Sequence, residues 1–224
     1  LLDIGSGALG KLHHTHHYPH LDAVFVTHMH ADHFFDLVPL RQGLKYDTPS
    51  RAQRMPLWLP PGGAIALEAL RRAVAPDAAP DFFDEVFAVR EYDPDQSVTV
   101  KDLQMTFART RHYIEGYAMR VRCDGASLFY TSDTAPCDSV VEHARESSLF
   151  LCEAALGLGG ENGEVRGHSS AQEAGEMAKR AGAKRLAITH YSANWEGEEL
   201  LEAARKSYDG PVVLVNDGMH LTVE

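Results

Sequence analysis

A chain of 224 residues, 44% of them hydrophobic, is long enough to bury one sizeable core, so one domain spanning 1–224 is expected. Its formal charge of −11 opposes a large nucleic-acid surface, because phosphate binding draws affinity from Lys and Arg, but leaves a small anion in a local pocket open. With no run of about 18 apolar residues, no signal-peptide pattern in the opening LLDIGSG, and three cysteines (Cys123, Cys137, Cys152) lacking CxxC spacing, a soluble cytoplasmic protein without disulfides or a membrane partner is expected.

LLDIG reads as a short strand entering the Gly5-Ser6-Gly7 turn, and a sheet rarely starts on its first residue, so a further strand is expected to precede this numbering. LDAVFVTH suits a buried strand. From Ala31 to Lys45 the apolar residues Phe34, Phe35, Leu37, Val38 and Leu44 make a broken helical pattern, with a kink expected at Pro39. MPLWLPPG reads as strand and turn, ALEALRRAV as a helix, and residues 75–84 as a loop. SVTVKDLQMTFART, GYAMRVRC and SLFYTSD are strands, the last two joined by the hairpin signal Asp124-Gly125.

VVEHARES is a short helix feeding the strand LFLCEAAL. Ser169 or Ser170 can cap the helix AQEAGEMAKRAG, with Gly182 as its stop, before the strand KRLAITH. EELLEAARKS is a helix, and VVLVNDGMHLTV closes the chain as paired strands around Asp217-Gly218. Runs of strands separated by helices imply two helix-covered sheets rather than a regular βαβ array.

Thirteen histidines are many for this length, and histidine is the commonest metal ligand. Six fall within THHYPHLDAVFVTHMHADHF, residues 15–34. In THMHADH, His28 and His30 are two apart at a strand end, so both imidazoles point to one face. A turn just after them swings Asp32 and His33 toward the same cavity, and such an N/O set suits Zn²⁺, Fe or Mn²⁺. His13, His14, His16, His17 and His20 have nothing that fixes their direction and read as a solvated helix or loop. Arg41 and Lys45 read as a solvated helix face, and His143 and His220 as surface residues.

The HxHxDH run resembles the signature of the metallo-β-lactamase superfamily, and His112, Asp133 and His190 follow in that superfamily's ligand order. The resemblance spans essentially the whole chain and implies an α/β fold, the four-layer αββα sandwich. It implies two divalent metal ions, zinc first with manganese or iron as alternatives: one held by His28, His30 and His112, the other by Asp32, His33 and His190, with Asp133 bridging. Two such ions would share a water and lower its pKa, making it the nucleophile. RHYIEGYAMRV, FYTSDT, CEAAL and GHSSAQEAGEMAKRAGAKRLAITHYS are similar to segments of the ribonuclease Z branch, which implies phosphodiester hydrolysis. The same resemblance makes His168 the residue that donates to the leaving oxygen and Glu153 the one that orients it, and puts Asp32 in the catalytic as well as the ligand set. Cys152 stands where the branch has the first histidine of its HEAT segment.

His112 and Asp133 are 21 positions apart, filled by one hairpin, so no tRNA-grasping arm fits between them. The expected substrate is therefore a small or cyclic phosphodiester, with tRNA 3′ processing disfavoured. Thioester, lactone or β-lactam hydrolysis is the alternative activity, and a non-catalytic metal-stabilised binding protein the third option. Relatives in this branch are often dimers, so the resemblance leaves a homodimer open.

Overall fold

The computed structural model describes residues 1–14, 18–47, 53–159 and 166–224. They form two compact units, Leu1–Asp93 and Pro94–Glu224, each with its own sheet and its own hydrophobic core.

The first unit holds helix α1 (Ala8–His14), a 3-10 turn (Tyr18–His20) and strand β1 (Val24–Phe25). Helices α2 (Ala31–Phe34) and α3 (Leu37–Gln42) follow, then a wider π-type turn (Gly43–Asp47). Strand β2 (Met55–Leu59), helix α4 (Gly63–Val74) and strand β3 (Phe87–Glu91) complete it. The sheet order is β1-β2-β3, all parallel, with Leu57 beside both Val24 and Val89. Val24, Leu37, Leu40, Met55, Leu57, Leu59 and Phe87 are buried and bind sheet to helices.

Three details differ from the sequence expectation. Leu1–Gly5 contributes an isolated bridge, Leu2 to Phe25, instead of a strand. The helical stretch breaks at Phe35–Asp36, ahead of Pro39; that proline is the third residue of α3, in the first turn where a helix leaves N–H groups unpaired anyway. Strand β3 had no counterpart in the sequence reading, although FAVRE in VFAVREY is rich in the apolar and β-branched residues that favour strands.

Arg41 is also a correction. It is 3% exposed, pairs with Glu85, donates from Nε to the Phe82 carbonyl at 2.9 Å, and lies 4.1 Å above the Phe82 ring. Lys45 closes on the same Glu85 at 2.6 Å. This is a packed ion cluster that holds the 82–85 turn, not a solvated face. His13, His14 and His20 are exposed as expected, while His16 and His17 lie outside the described residues.

The second unit carries strands β4 (Val98–Val100), β5 (Leu103–Arg109), β6 (Tyr117–Cys123) and β7 (Ala126–Tyr130), then helix α5 (Asp138–His143) and strand β8 (Leu149–Glu153). Helix α6 (Ala171–Ala181), strand β9 (Leu186–Thr189), helix α7 (Gly197–Arg205) and strand β10 (Val212–Leu214) finish it. The sheet order is β10-β9-β8-β7-β6-β5-β4; β4 to β7 are antiparallel and β7 to β10 parallel. Consequently β5, β7, β8 and β9 run the same way, and their C-terminal ends share one edge of the sheet.

The β6–β7 hairpin turns on Asp124 and Gly125, with φ of 48° and 82°, the two positive values a type I′ turn needs. Ser170 caps α6 in a full capping box with Glu173, and Gly182 ends it in the left-handed region at φ 62°. The C-terminal hairpin does not form. Val212–Leu214 pairs with Leu186–Ile188 of β9, and the Asp217-Gly218 turn leads into residues 219–224 outside any strand. His143 is half-buried rather than on the surface, with Nε2 2.8 Å from the Thr106 hydroxyl, and burial aided by Arg120 and Arg122 lowers its pKa from 6.5. His220 is exposed, and among the described residues no helix is long and apolar enough to cross a membrane.

Candidate metal centre

Each unit gathers part of the expected ligand set. In the first, the chain leaves β1 and passes through Thr27 to the buried His28. The Thr27 hydroxyl lies 3.1 Å from His28 Nδ1, leaving Nε2, which faces His30 Nδ1 at 3.1 Å. Two nitrogens on one tetrahedral zinc, each about 2.0–2.1 Å from the ion, stand roughly 3.3 Å apart. The observed spacing is therefore that of two ligands to a common ion. The strand stops at Phe25, so His28 and His30 sit in extended chain just past it; the two-residue period still turns both rings to one side.

Helix α2 then begins, with His30 at its N-cap, and carries Asp32 and His33 in its first turn. His33 is buried with Nδ1 2.7 Å from Asp3 Oδ2, so its Nε2 is the nitrogen left for a ligand, 3.9 Å from Asp32 Oδ2. Asp3 was not singled out by the sequence reading. Its carboxylate accepts the Thr27 N–H at 2.7 Å and hydroxyl at 2.9 Å, besides holding His33, so one acid orients both ends of the histidine motif. The signal available in the sequence was an acid at a strand end just before a glycine turn. Gly5 is required there, because any side chain at that position would overlap the carbonyl of Asp32.

In the second unit the shared C-terminal edge does the gathering. His112 lies three residues beyond β5, Asp133 three beyond β7, Glu153 ends β8, and His190 follows β9. One donor atom each of His112, Asp133 and His168 lie within 4.8 Å of one another. His112 Nδ1 is 2.7 Å from the Gly167 carbonyl, which fixes that nitrogen as the donor and leaves Nε2. Asp133 is 3% exposed, and its two oxygens face different neighbours: Oδ1 is 3.6 Å from His190 Nδ1 and Oδ2 3.9 Å from His168 Nδ1. The imidazoles of His168 and His190 are stacked at 5.9 Å, and those of His112 and His168 meet edge-on at 4.9 Å.

Glu153 is almost fully buried, yet its carboxylate is well supplied with donors. Oε1 accepts the Thr134 N–H at 2.7 Å and lies 3.0 Å from His168 Nδ1, and Oε2 accepts the Ala155 N–H at 3.1 Å. An acid whose oxygens are held by these donors can align the imidazole. Cys152, one residue earlier, packs into the core instead, where burial first and Glu153 second raise its thiol pKa well above the ordinary value. It offers no thiolate. The loop carrying His168 is braced by Arg166, which pairs with Glu173 at 2.6 Å and donates to the His168 carbonyl at 3.1 Å. Burial raises the Glu173 carboxyl, but the hydrogen bonds from Arg166 and the Ser170 backbone outweigh it and hold the pKa below 4.5.

Backbone strain accompanies the donors. Three of the six non-glycine residues with positive φ among the described residues are Asp3 at 54°, which holds His33, Ser132 at 54°, which precedes Asp133, and His190 at 50°. Strain of this kind costs on the order of 1–3 kcal/mol per residue and clusters where function demands it. Hard and borderline donors, imidazole and carboxylate, with second-sphere partners fixing the tautomers, fit divalent metal ions.

The Beta-lactamase superfamily domain matches residues 1–191. An uncharacterized protein of Mycobacterium tuberculosis (strain ATCC 25618 / H37Rv) is 33% identical over 214 residues, 95% of this chain and 77% of that protein. A ribonuclease Z of Methanothermobacter thermautotrophicus is 42% identical over 102 residues, 45% of this chain and 32% of its own. Among solved structures, the metallo-beta-lactamase fold protein YhfI from Bacillus subtilis superimposes with a TM-score of 0.84 at 26% identity, over 97% of this chain and 85% of that one. A diphosphatase from the PhnP family reaches 0.78 at 19% identity over 100% and 79%, a likeness of fold. The chain belongs to the β-lactamase superfamily, as a ribonuclease Z-like metallo-hydrolase with the metallo-β-lactamase fold.

Proposed function

We propose that the two units form one hydrolase domain whose half-sites complete a dinuclear centre cleaving small or cyclic phosphodiesters. His28, His30 and His112 would hold one ion and Asp32, His33 and His190 the other, with Asp133 bridging, zinc being the first expectation. When bound, such ions supply Lewis acidity and a water of lowered pKa. Within the first unit the 3.1 Å between His28 Nε2 and His30 Nδ1 supports this assignment, and within the second the divergent oxygens of Asp133 do.

The observation that favours a phosphodiester over a thioester is the Glu153–His168 pair. An alkoxide leaving from phosphorus needs a proton, whereas a thiolate leaving from a thioester does not. With Glu153 on Nδ1, Nε2 of His168 is the nitrogen that delivers it. A water oxygen forms its bond to phosphorus as the bond to the leaving oxygen breaks; Asp32 takes a proton from the water, and His168 supplies one to the alkoxide. The net charge of −11 supports a small substrate over a long nucleic acid.

The test is a panel of bis-p-nitrophenyl phosphate, 2′,3′- and 3′,5′-cyclic nucleotides, a thioester, a lactone, a β-lactam and pre-tRNA, each with and without chelator. Chelator-sensitive turnover of the small diesters is expected. Turnover confined to the thioester, lactone or lactam would overturn the reading, and pre-tRNA cleavage at a comparable rate would overturn the limit to small substrates.

A further inference from the structure

Tyr113, next in sequence to His112, is an aromatic residue that packing does not account for. It is 57% exposed, and its hydroxyl finds no hydrogen-bond partner among the described residues. The ring is nevertheless held in a fixed relation to the site. Its centroid lies 5.1 Å from that of His112 and 5.8 Å from that of His168, in an edge-to-face arrangement with the latter.

Beneath it runs the backbone of Gly167, where an added Cβ would come within 2.7 Å of the Tyr113 ring and 2.8 Å of His112 Nδ1. The same glycine carbonyl binds His112 Nδ1. The missing side chain at 167 thus serves two neighbours: it lets the histidine reach the carbonyl and lets the phenol ring lie against the loop that carries His168. The Gly167 backbone lies against the ring, and more than half of the residue is open to solvent beside the imidazole of His168. A preplaced aromatic surface with an open face stacks planar rings at little cost in side-chain order.

We propose that Tyr113 determines specificity on the leaving-group side: its open face stacks a planar aryl or heteroaryl ring borne by the leaving alcohol, so diesters with such a ring are preferred over saturated ones. The inference rests on the phosphodiester reading for placing the leaving group beside His168.

Two non-hydrolysable probes separate flatness from bulk: the phosphinates benzyl(methyl)phosphinate and (cyclohexylmethyl)(methyl)phosphinate, which have no P–O–C bond, titrated calorimetrically into the metal-loaded full chain. The wild type should bind the benzyl compound about tenfold more tightly, in the range of one stacked ring. Tyr113→Ala should erase that preference with metal content unchanged by elemental analysis, and Tyr113→Phe should keep it. Equal affinity of the wild type for both probes, or a preference that survives Tyr113→Ala, would overturn the inference while leaving the phosphodiesterase reading in place. Binding of neither probe would overturn that reading and the inference with it.

Discussion

Oε1 of Glu153, in a residue 1% exposed to solvent, lies 3.0 Å from Nδ1 of His168 and also accepts the backbone N–H of Thr134 at 2.7 Å. The acid is thus fixed before it meets the histidine. If the pair delivers a proton to the leaving group, His168→Ala should lower kcat by about 10²–10⁴, with metal content retained. The loss should be smaller for a nitrophenyl leaving group, which departs without a proton, than for an alkyl one. Equal losses on both, or loss of metal, would show that His168 acts otherwise.

Asp3 should govern metal affinity without touching the metal. Asn at this position keeps the left-handed backbone within reach, since Asn tolerates φ of 54° better than most residues. It removes the charge that fixes His33 and the acceptor pair that holds Thr27. Asp3→Asn is expected to weaken metal binding by about 10- to 100-fold, measured by competition with a chelating dye; an unchanged affinity would rule out the orienting role.

Ser170 tests the loop that bears His168. Its hydroxyl accepts the Glu173 N–H at 3.3 Å while Glu173 reaches back to the Ser170 N–H at 3.0 Å. Ser170→Ala should cost about 1 kcal/mol and lower Tm by roughly 2–4 °C, read by calorimetry. Ser170→Asp, which can also cap, should restore most of it.

The pH dependence of stability should carry a signature of His143. Burial, with Arg120 and Arg122 nearby, holds its folded pKa below the unfolded 6.5, so the neutral ring is the one the fold accepts. Below 6.5 the unfolded chain binds the proton more readily, so this contribution to stability is complete above 6.5 and is lost as pH falls toward the folded value. His143→Gln should flatten the decline in Tm on acidification from about pH 7 to about pH 5 relative to wild type. An identical slope would show that other groups set it.

Much of this could be read from the chain in one dimension. The two-residue spacing in THMHADH, the Asp124-Gly125 turn, the Ser170 cap with its glutamate three residues on, and the Gly182 stop all depend on local backbone geometry, which neighbours in sequence dictate. Other decisions depended on what each segment met. VVLVNDGMHL carries the same Asp-Gly turn signal as the true hairpin, yet its strand pairs with β9 and the following residues pair with no strand, because a turn permits a hairpin and only a partner surface makes one. Arg41 looks amphipathic on its helix, but the Phe82 carbonyl and Glu85, about forty positions on, close over it.

For the metal centre the division is similar. Residue types and spacings in the sequence supplied the candidate donors, and the resemblance to the superfamily gave them an order. The positive φ angles of Asp3, Ser132 and His190, the common edge reached by four strands running in one direction, the capture of His33 by Asp3 across 30 positions, and the seating of Tyr113 on the bare backbone of Gly167 came from tertiary structure alone. Local rules fix which atoms a residue can offer; long-range packing decides which nitrogen is left over to be offered, because a hydrogen-bond partner on the far side of each imidazole must first be brought there by the fold.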